Sequence, residues 1–374
     1  MKDKLLLLIS LFIFACSSEQ ENETSISYDW AIISVKTNDK GLAIDDVPYL
    51  QHKKEKEYYV NYNNITHTLN FYNLETKTYE KQIQFYKSGV NQIQGINEYA
   101  ICGDTIILYS NLALRYFDEK GKLIKALSLN ELCPELAENY KLEKKGITID
   151  NLLELTINQQ ENNLILRTYK KTLMPYDDSF YKDSYFCEFN LNTNKGLAIP
   201  IVIPKELNGK YYYADLATPH VIGNNNLLIY HFHFKSSIYI YNTIDKQTKK
   251  IKFKATHIQN KTIGIKRSKA ENKINMISSI FFQPKFYNLK YDPWKNLYYL
   301  LYAEKIDIDN IEYSGSIKYL LVFNNKFEKL GEVDIDPFLS SKFVVSKNGL
   351  LFRNTKDDSY NELKLYSLSV NTVN

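Results

Sequence analysis

The chain has 374 residues, 14% of them aromatic and 24% charged, and its 31 tyrosines exclude the aromatic-poor composition of a disordered chain. A formal net charge of +4 falls to +3 once Lys2, Asp3 and Lys4 leave with a leader, too slight and too scattered for a nucleic-acid binder. The length allows one large domain or two.

Residues 1–16 read as a leader. Lys2 and Lys4 precede LLLLISLFIF, an apolar run of ten residues. That is too short for an ordinary transmembrane helix and right for a signal-peptide core. The run ends in Ile13-Phe14-Ala15-Cys16, which resembles a bacterial lipobox, with Phe14 where a small or hydroxylated residue is usual. The expectation is that Cys16 becomes the lipidated first residue and anchors the chain to a membrane. Ser17 to Ser25 carries three Glu and no apolar anchor, the composition of a flexible tether.

Residues 26–374 read as a single domain of repeats. ISYDWAIISVK, Ile26 to Lys36, is a strand without a sequence neighbour. Alternation places Trp30 and Ile32 on one face and Val35 on the other, and all three are expected to bury it. Then one grammar recurs: turn, apolar strand, strand, turn, strand. Copies of the turn and apolar strand are Lys54 to Tyr62, Gly103 to Ser110, Glu161 to Tyr169, Asn224 to Phe234, Leu297 to Tyr302 and Lys347 to Asn354. Asn and Asp mark the turns, because they tolerate left-handed backbone and bond their own main chain. The fullest copy runs from Phe286 to Asp336.

Three connections stand out. LNELCPELAENYKLEKKG has helical spacing at Leu132, Leu136 and Tyr140, with Asn130 as its cap. Asn208-Gly209 is a hairpin signal. Ala255 to Ser279 is a long connection, and its basic cluster, Lys261, Lys266, Arg267, Lys269 and Lys273, reads as a solvated loop.

The sixth copy, Glu362 to Val370, lacks a fourth strand before the chain stops. An N-terminal strand in that place closes a ring and removes an open edge. The expected fold is therefore all-β: a six-bladed β-propeller of four-stranded antiparallel blades, the last closed by residues 26–36.

The lipobox, the YDPWKNLYYLLY…YLLVFN…LGEVDI module and the final NGLLF strand resemble a family of uncharacterised Bacteroidota lipoproteins with a TolB-like six-bladed propeller. The acidic tether resembles the export signal of outer-membrane lipoproteins in that group. The resemblance implies fold and location, with the face of the outer membrane left open, and no reaction.

Few residues invite chemistry. His231 and His233, two apart on a strand, share a face and are the metal candidates, without a third ligand at hand. After Cys16, Cys102, Cys133 and Cys187 allow at most one disulfide, and Cys102 and Cys187 read as buried small hydrophobes. Asp46, Asn97, Asn151 and Asn288 lie where propeller hydrolases of the lactonase kind hold calcium. Tyr211, Tyr212 and Tyr213, and Tyr291 with Trp294, are candidates for an aromatic platform. The leading expectation is a monomeric, lipid-anchored module without a cofactor, binding a protein, peptide or glycan through loops on a rigid scaffold. The alternatives are a calcium-dependent hydrolase and a structural component of an envelope complex.

Overall fold

The computed structural model describes residues 25–37, 48–53, 55–63, 65–86, 93, 98–110, 113–142, 156–158, 162–173, 177, 179–258, 261–270, 282–305, 316–354 and 361–373. The lipobox, Asp46, Asn97, Asn151 and Lys273 lie outside them.

The strands form antiparallel sheets in sequence order. After β1 (Ser25–Lys36) come β2 (Tyr49–Lys53), β3 (Lys56–Asn63), β4 (Thr68–Asn73) and β5 (Thr78–Gln84). The next blade holds β6 (Glu98–Cys102), β7 (Thr105–Ser110), β8 (Ala113–Phe117) and β9 (Leu123–Leu127). A third sheet joins β10 (Tyr140–Leu142), β11 (Thr156–Asn158), β12 (Asn163–Lys170), β13 (Tyr185–Asn190) and β14 (Lys195–Pro200). The short strand β15 (Tyr211–Tyr212) precedes a four-stranded blade of β16 (Pro219–Asn224), β17 (Leu227–Phe232), β18 (Ser237–Asn242) and β19 (Thr248–Lys252). After β20 (Ile265–Lys266) come β21 (Lys285–Asp292), β22 (Leu297–Ala303), β23 (Lys318–Phe323) and β24 (Lys329–Ile335), again one blade. The chain ends in β25 (Leu339–Ser346), β26 (Gly349–Asn354) and β27 (Glu362–Val373).

The middle strands explain why the sheets stack. β4, β22 and β26 are buried at every position, and β3 and β17 at all but their first. A strand covered on both faces reads as a continuous apolar run, not as an alternation. LYYLLYA has that character, whereas TLNFYN buries Thr68, Asn70 and Asn73 as well. The first strands of successive sheets pack side by side: β2 against β25, β25 against β21, β21 against β16, and β16 against β11. The result is an all-β, propeller-like arrangement of four-stranded blades.

One turn device is repeated. Between the third and fourth strands of five sheets, an Asn or Asp oxygen accepts main-chain N–H bonds from the residues just after it. The acceptors are Asn73, Asp118, Asn190, Asn242 and Asn324. Each turn then passes through left-handed backbone, at Lys77, Gly121, Asn194, Lys246 and Phe327, with φ between 53° and 78°. The side-chain bond supplies the acceptor that a turning main chain lacks, which is why these positions are Asn or Asp.

The first and last strands meet, as expected. β1 pairs antiparallel with β27 at twelve positions, from Ser25↔Val373 to Lys36↔Glu362. It also touches β5 at one parallel position, Lys36↔Thr78, so β2–β5 and β25–β27 with β1 are assigned to one eight-stranded sheet. That sheet has two four-stranded halves joined by this one pairing.

Three expectations are corrected. The helical stretch forms two single turns, α1 (Leu129–Leu132) and α2 (Pro134–Ala137). Ser128, not Asn130, caps the first, in a capping box with Glu131, and Cys133 at φ −150° with Pro134 behind it breaks the run. The turns instead cover β14. A Cβ on Gly196 would stand 1.7 Å from the Leu132 carbonyl oxygen, and Glu135 accepts the Ala198 N–H at 2.7 Å. Next, Asn208-Gly209 ends a 3₁₀ turn, and β15 beyond it pairs with the distant β20. Arg267 fixes that corner by donating to the Gly209 and Leu207 carbonyls. Last, Val35 is buried, but Trp30 and Ile32 are 39% and 60% exposed.

Candidate binding site

The exposure of Trp30 and Ile32 follows from where β1 lies. Its odd face meets β2–β5: Val35 and Ile33 join Tyr59, Tyr72, Leu363 and Leu365 in one cluster. Its even face turns to the neighbouring blade, and only its first residue arrives there. Ile26 packs on Gly331 of β24 so closely that a Cβ on the glycine would stand 2.6 Å from it. Beyond that contact a cleft of about 430 Å³ opens between β24 and the β1–β27 pair.

Trp30, Ile32 and Tyr366 form its apolar wall. Ile32 and Tyr366 face each other across the ladder, and the Trp30 ring sits 5.8 Å from that of Phe352 beneath. Buried Leu339 lies at its floor. The opposite wall carries Asp334 and Asp336, both exposed. Asp336 accepts the Phe338 N–H at 2.8 Å, which fixes the turn into β25. Neither carboxylate forms an ion pair with a described residue. Lys318 is close but engaged with main chain, donating to the Pro337 and Leu339 carbonyls. Burial pulls its pKa down to about 8, against the upward pull of Asp336. An aromatic wall facing two solvated carboxylates suits a ligand with one apolar face and donor or cationic groups opposite.

The residues singled out from sequence fall elsewhere. His231 and His233 are wholly buried. A third imidazole, His220, joins them. It lies opposite His231 in the β16–β17 register, 5.5 Å away ring to ring, while His231 and His233 are 5.2 Å apart. The His233 Nδ1 is 2.6 Å from the Phe286 carbonyl oxygen and donates to it. Burial first, then neighbouring imidazoles, pulls His231 down to about 3 and His233 well below the usual histidine value. Among the described residues no group of three or more His, Cys, Asp or Glu side chains is disposed to hold a metal ion.

The tyrosine triplet does not stand out as a platform. Tyr212 and Tyr213 belong to a core cluster, Tyr213 stacked on Phe234 at 4.3 Å, and Tyr211 is half-buried under Lys210. Tyr291 packs against Tyr298 at 4.9 Å, whereas exposed Trp294 turns to His52 at 5.2 Å, so the pair is not brought together. Asn288 is buried beside a β-bulge in β21. The three described cysteines are free. Cys133 and Cys187 are buried in one cluster, with Cys187 pushed up by its hydrogen bond with Cys133 and by burial. Cys102 is half-buried, 3.7 Å from the Asn162 Oδ1. Trp30 was singled out in the sequence only as a residue expected to bury β1. Its partners in the cleft, some three hundred residues away, were not.

The fold and the cleft together define a propeller-like all-β protein with an open groove at its rim. The model of a domain of unknown function, DUF4221, matches residues 23–334, and the chain belongs to that family. A crystal structure of a DUF4221 member from Bacteroides vulgatus ATCC 8482 is 16% identical with a TM-score of 0.72, covering 94% of this chain and 100% of its own. A protein of Bacteroides fragilis NCTC 9343 described as exported is 10% identical with a TM-score of 0.56, over 92% of this chain and 95% of its own. No curated protein matches the chain.

Proposed function

We propose that this chain is a lipid-anchored, six-bladed propeller of the cell envelope, in the outer membrane, that binds a protein, peptide or glycan. The observation that carries the reading is the cleft, where exposed Trp30 and Ile32 and half-buried Tyr366 confront Asp334 and Asp336. A rigid scaffold with one aromatic and acidic groove is suited to holding a ligand.

Six blades follow if the halves of the eight-stranded sheet count separately, since a single pairing joins them. The leader and Cys16 support the anchor, and the exported description of the Bacteroides fragilis protein agrees with an envelope location. Cys16 precedes β1 by nine residues, which span at most about 30 Å when extended. The anchor thus keeps the groove near the membrane surface.

Two measurements test this. Cys16→Ala should release the protein from the membrane fraction or leave an uncleaved precursor, because the acyl chains are what hold it. Normal processing with unchanged membrane retention defeats the anchor. The full chain should also bind members of a glycan or peptide array, and Trp30→Ala should weaken that binding at least about tenfold. Ligands that bind this variant unchanged would place the site elsewhere.

A further inference from the structure

We propose that the free edge of β1 takes up an extended basic peptide segment as an added strand, its Lys or Arg side chains reaching Asp334 and Asp336. This rests on reading the cleft as the binding site and narrows the ligand to one class.

The outer edges of the sheets are not alike. β5 is seven residues long and carries Glu80 and Lys81; β9 is five and carries Lys125; β19 is five and carries Lys249, Lys250 and Lys252. β14 is covered by the turns at Glu135. β24 holds Lys329 and Glu332, and Glu332 accepts the Thr256 and His257 N–H groups of a covering segment. Such charges and covers keep foreign strands off an edge. β1 has twelve residues, with Asp29 its only charge before Lys36. It exposes Tyr28, Trp30 and Ile32 on one face, and on its outer side it pairs with a described strand only at Lys36. Among the described residues this edge is long, apolar and unguarded, and such an edge offers a row of main-chain donors and acceptors to an incoming strand.

Charge chooses the occupant. An added strand places alternate side chains on the even face, beside Trp30 and Ile32 and over the cleft that Asp334 and Asp336 line. Long cationic side chains there meet carboxylates that no described residue pairs. A second copy of this chain would bring its own Asp29, Asp334 and Asp336 to the same edge, like charge against like. A glycan has no main-chain ladder to match the edge.

The test uses the full chain and two synthetic probes, an alternating Val-Lys peptide and an alternating Val-Glu peptide. The basic probe should bind, more weakly as salt rises, and should slow hydrogen exchange along β1. The acidic probe should not bind. Ile32→Lys, which gives β1 the guard the other edges have, and Asp334→Lys should each lower affinity at least about tenfold. Both positions are exposed, and an unchanged melting temperature establishes that the variants fold. Equal binding of the two probes, or basic-probe binding that both variants keep, overturns the proposal. So does a concentration-dependent dimer that Ile32→Lys abolishes, which would assign the edge to a second copy. A glycan that binds in a Trp30-dependent way while the basic probe does not overturns this inference alone. Binding of every ligand class unaffected by Trp30→Ala overturns the reading of the cleft itself.

Discussion

Deleting residues 27–36 is expected to lower the melting temperature sharply, while deleting residues 17–25 leaves it nearly unchanged. The longer deletion takes ten of the twelve paired positions of β1 out of the β27 ladder. A net main-chain hydrogen bond is worth about 0.5–1.5 kcal/mol, and several together approach the roughly 5–15 kcal/mol that holds a domain folded. Val35 goes too, leaving a gap among Tyr59, Tyr72, Leu363 and Leu365. The loss also strips β27 to an open edge along its length, an invitation to aggregate. Trp30 and Ile32 contribute little to this sum because they are exposed, so Trp30→Ala with Ile32→Ala should cost less than about 1 kcal/mol. Thermal melts of the two deletions, with light scattering to detect aggregation, decide the matter. Equal melting temperatures would show that β1 does not hold the ends of the chain together.

The repeat was legible because its physics is local. Apolar runs flanked by Asn and Asp turns announce doubly covered strands, and the same side-chain bond recurs at Asn73, Asp118, Asn190, Asn242 and Asn324. The unpaired strand at the start and the missing one at the end pointed to each other, and β1 and β27 do pair. What alternation does not report is whether a neighbouring sheet covers a given face. Trp30 and Val35 sit on opposite faces, as expected, yet a sheet covers the Val35 face only at Ile33 and Val35 and leaves Trp30 and Ile32 exposed. The cleft was illegible for the same reason, since it depends on how β24 closes on β1 at Ile26 and Gly331, some three hundred residues apart. His220 was missed because it joins His231 through strand register, not sequence spacing. The helical reading of residues 129–146 weighed the period of Leu132, Leu136 and Tyr140 above Pro134, and the proline prevailed.

Acid should destabilise the protein well before its carboxylates titrate. His231 and His233 are wholly buried in the β17 segment, and burial holds His231 at about 3 and His233 well below 6.5. In the unfolded chain both return to about 6.5. Between the folded and unfolded values the unfolded chain binds more protons, so stability rises with pH. It is fully present above about pH 6.5 and is lost as pH falls toward 3. A histidine kept neutral throughout forfeits about 2 kcal/mol between pH 7 and pH 5, and the two together about 4 kcal/mol. That is a large part of a typical folding free energy. Carboxylates such as Glu80, Glu131 and Glu332, held below 4.5 by hydrogen bonds to the charged form, add their loss only at lower pH. Urea unfolding at pH 7, 6 and 5 measures the slope. In His231→Phe, which keeps a flat ring in the core and leaves the His233 bond to Phe286 in place, the loss between pH 7 and pH 5 should fall by about half. A folding free energy that is flat from pH 7 to pH 5 in the natural chain would mean that these imidazoles reach protons while folded.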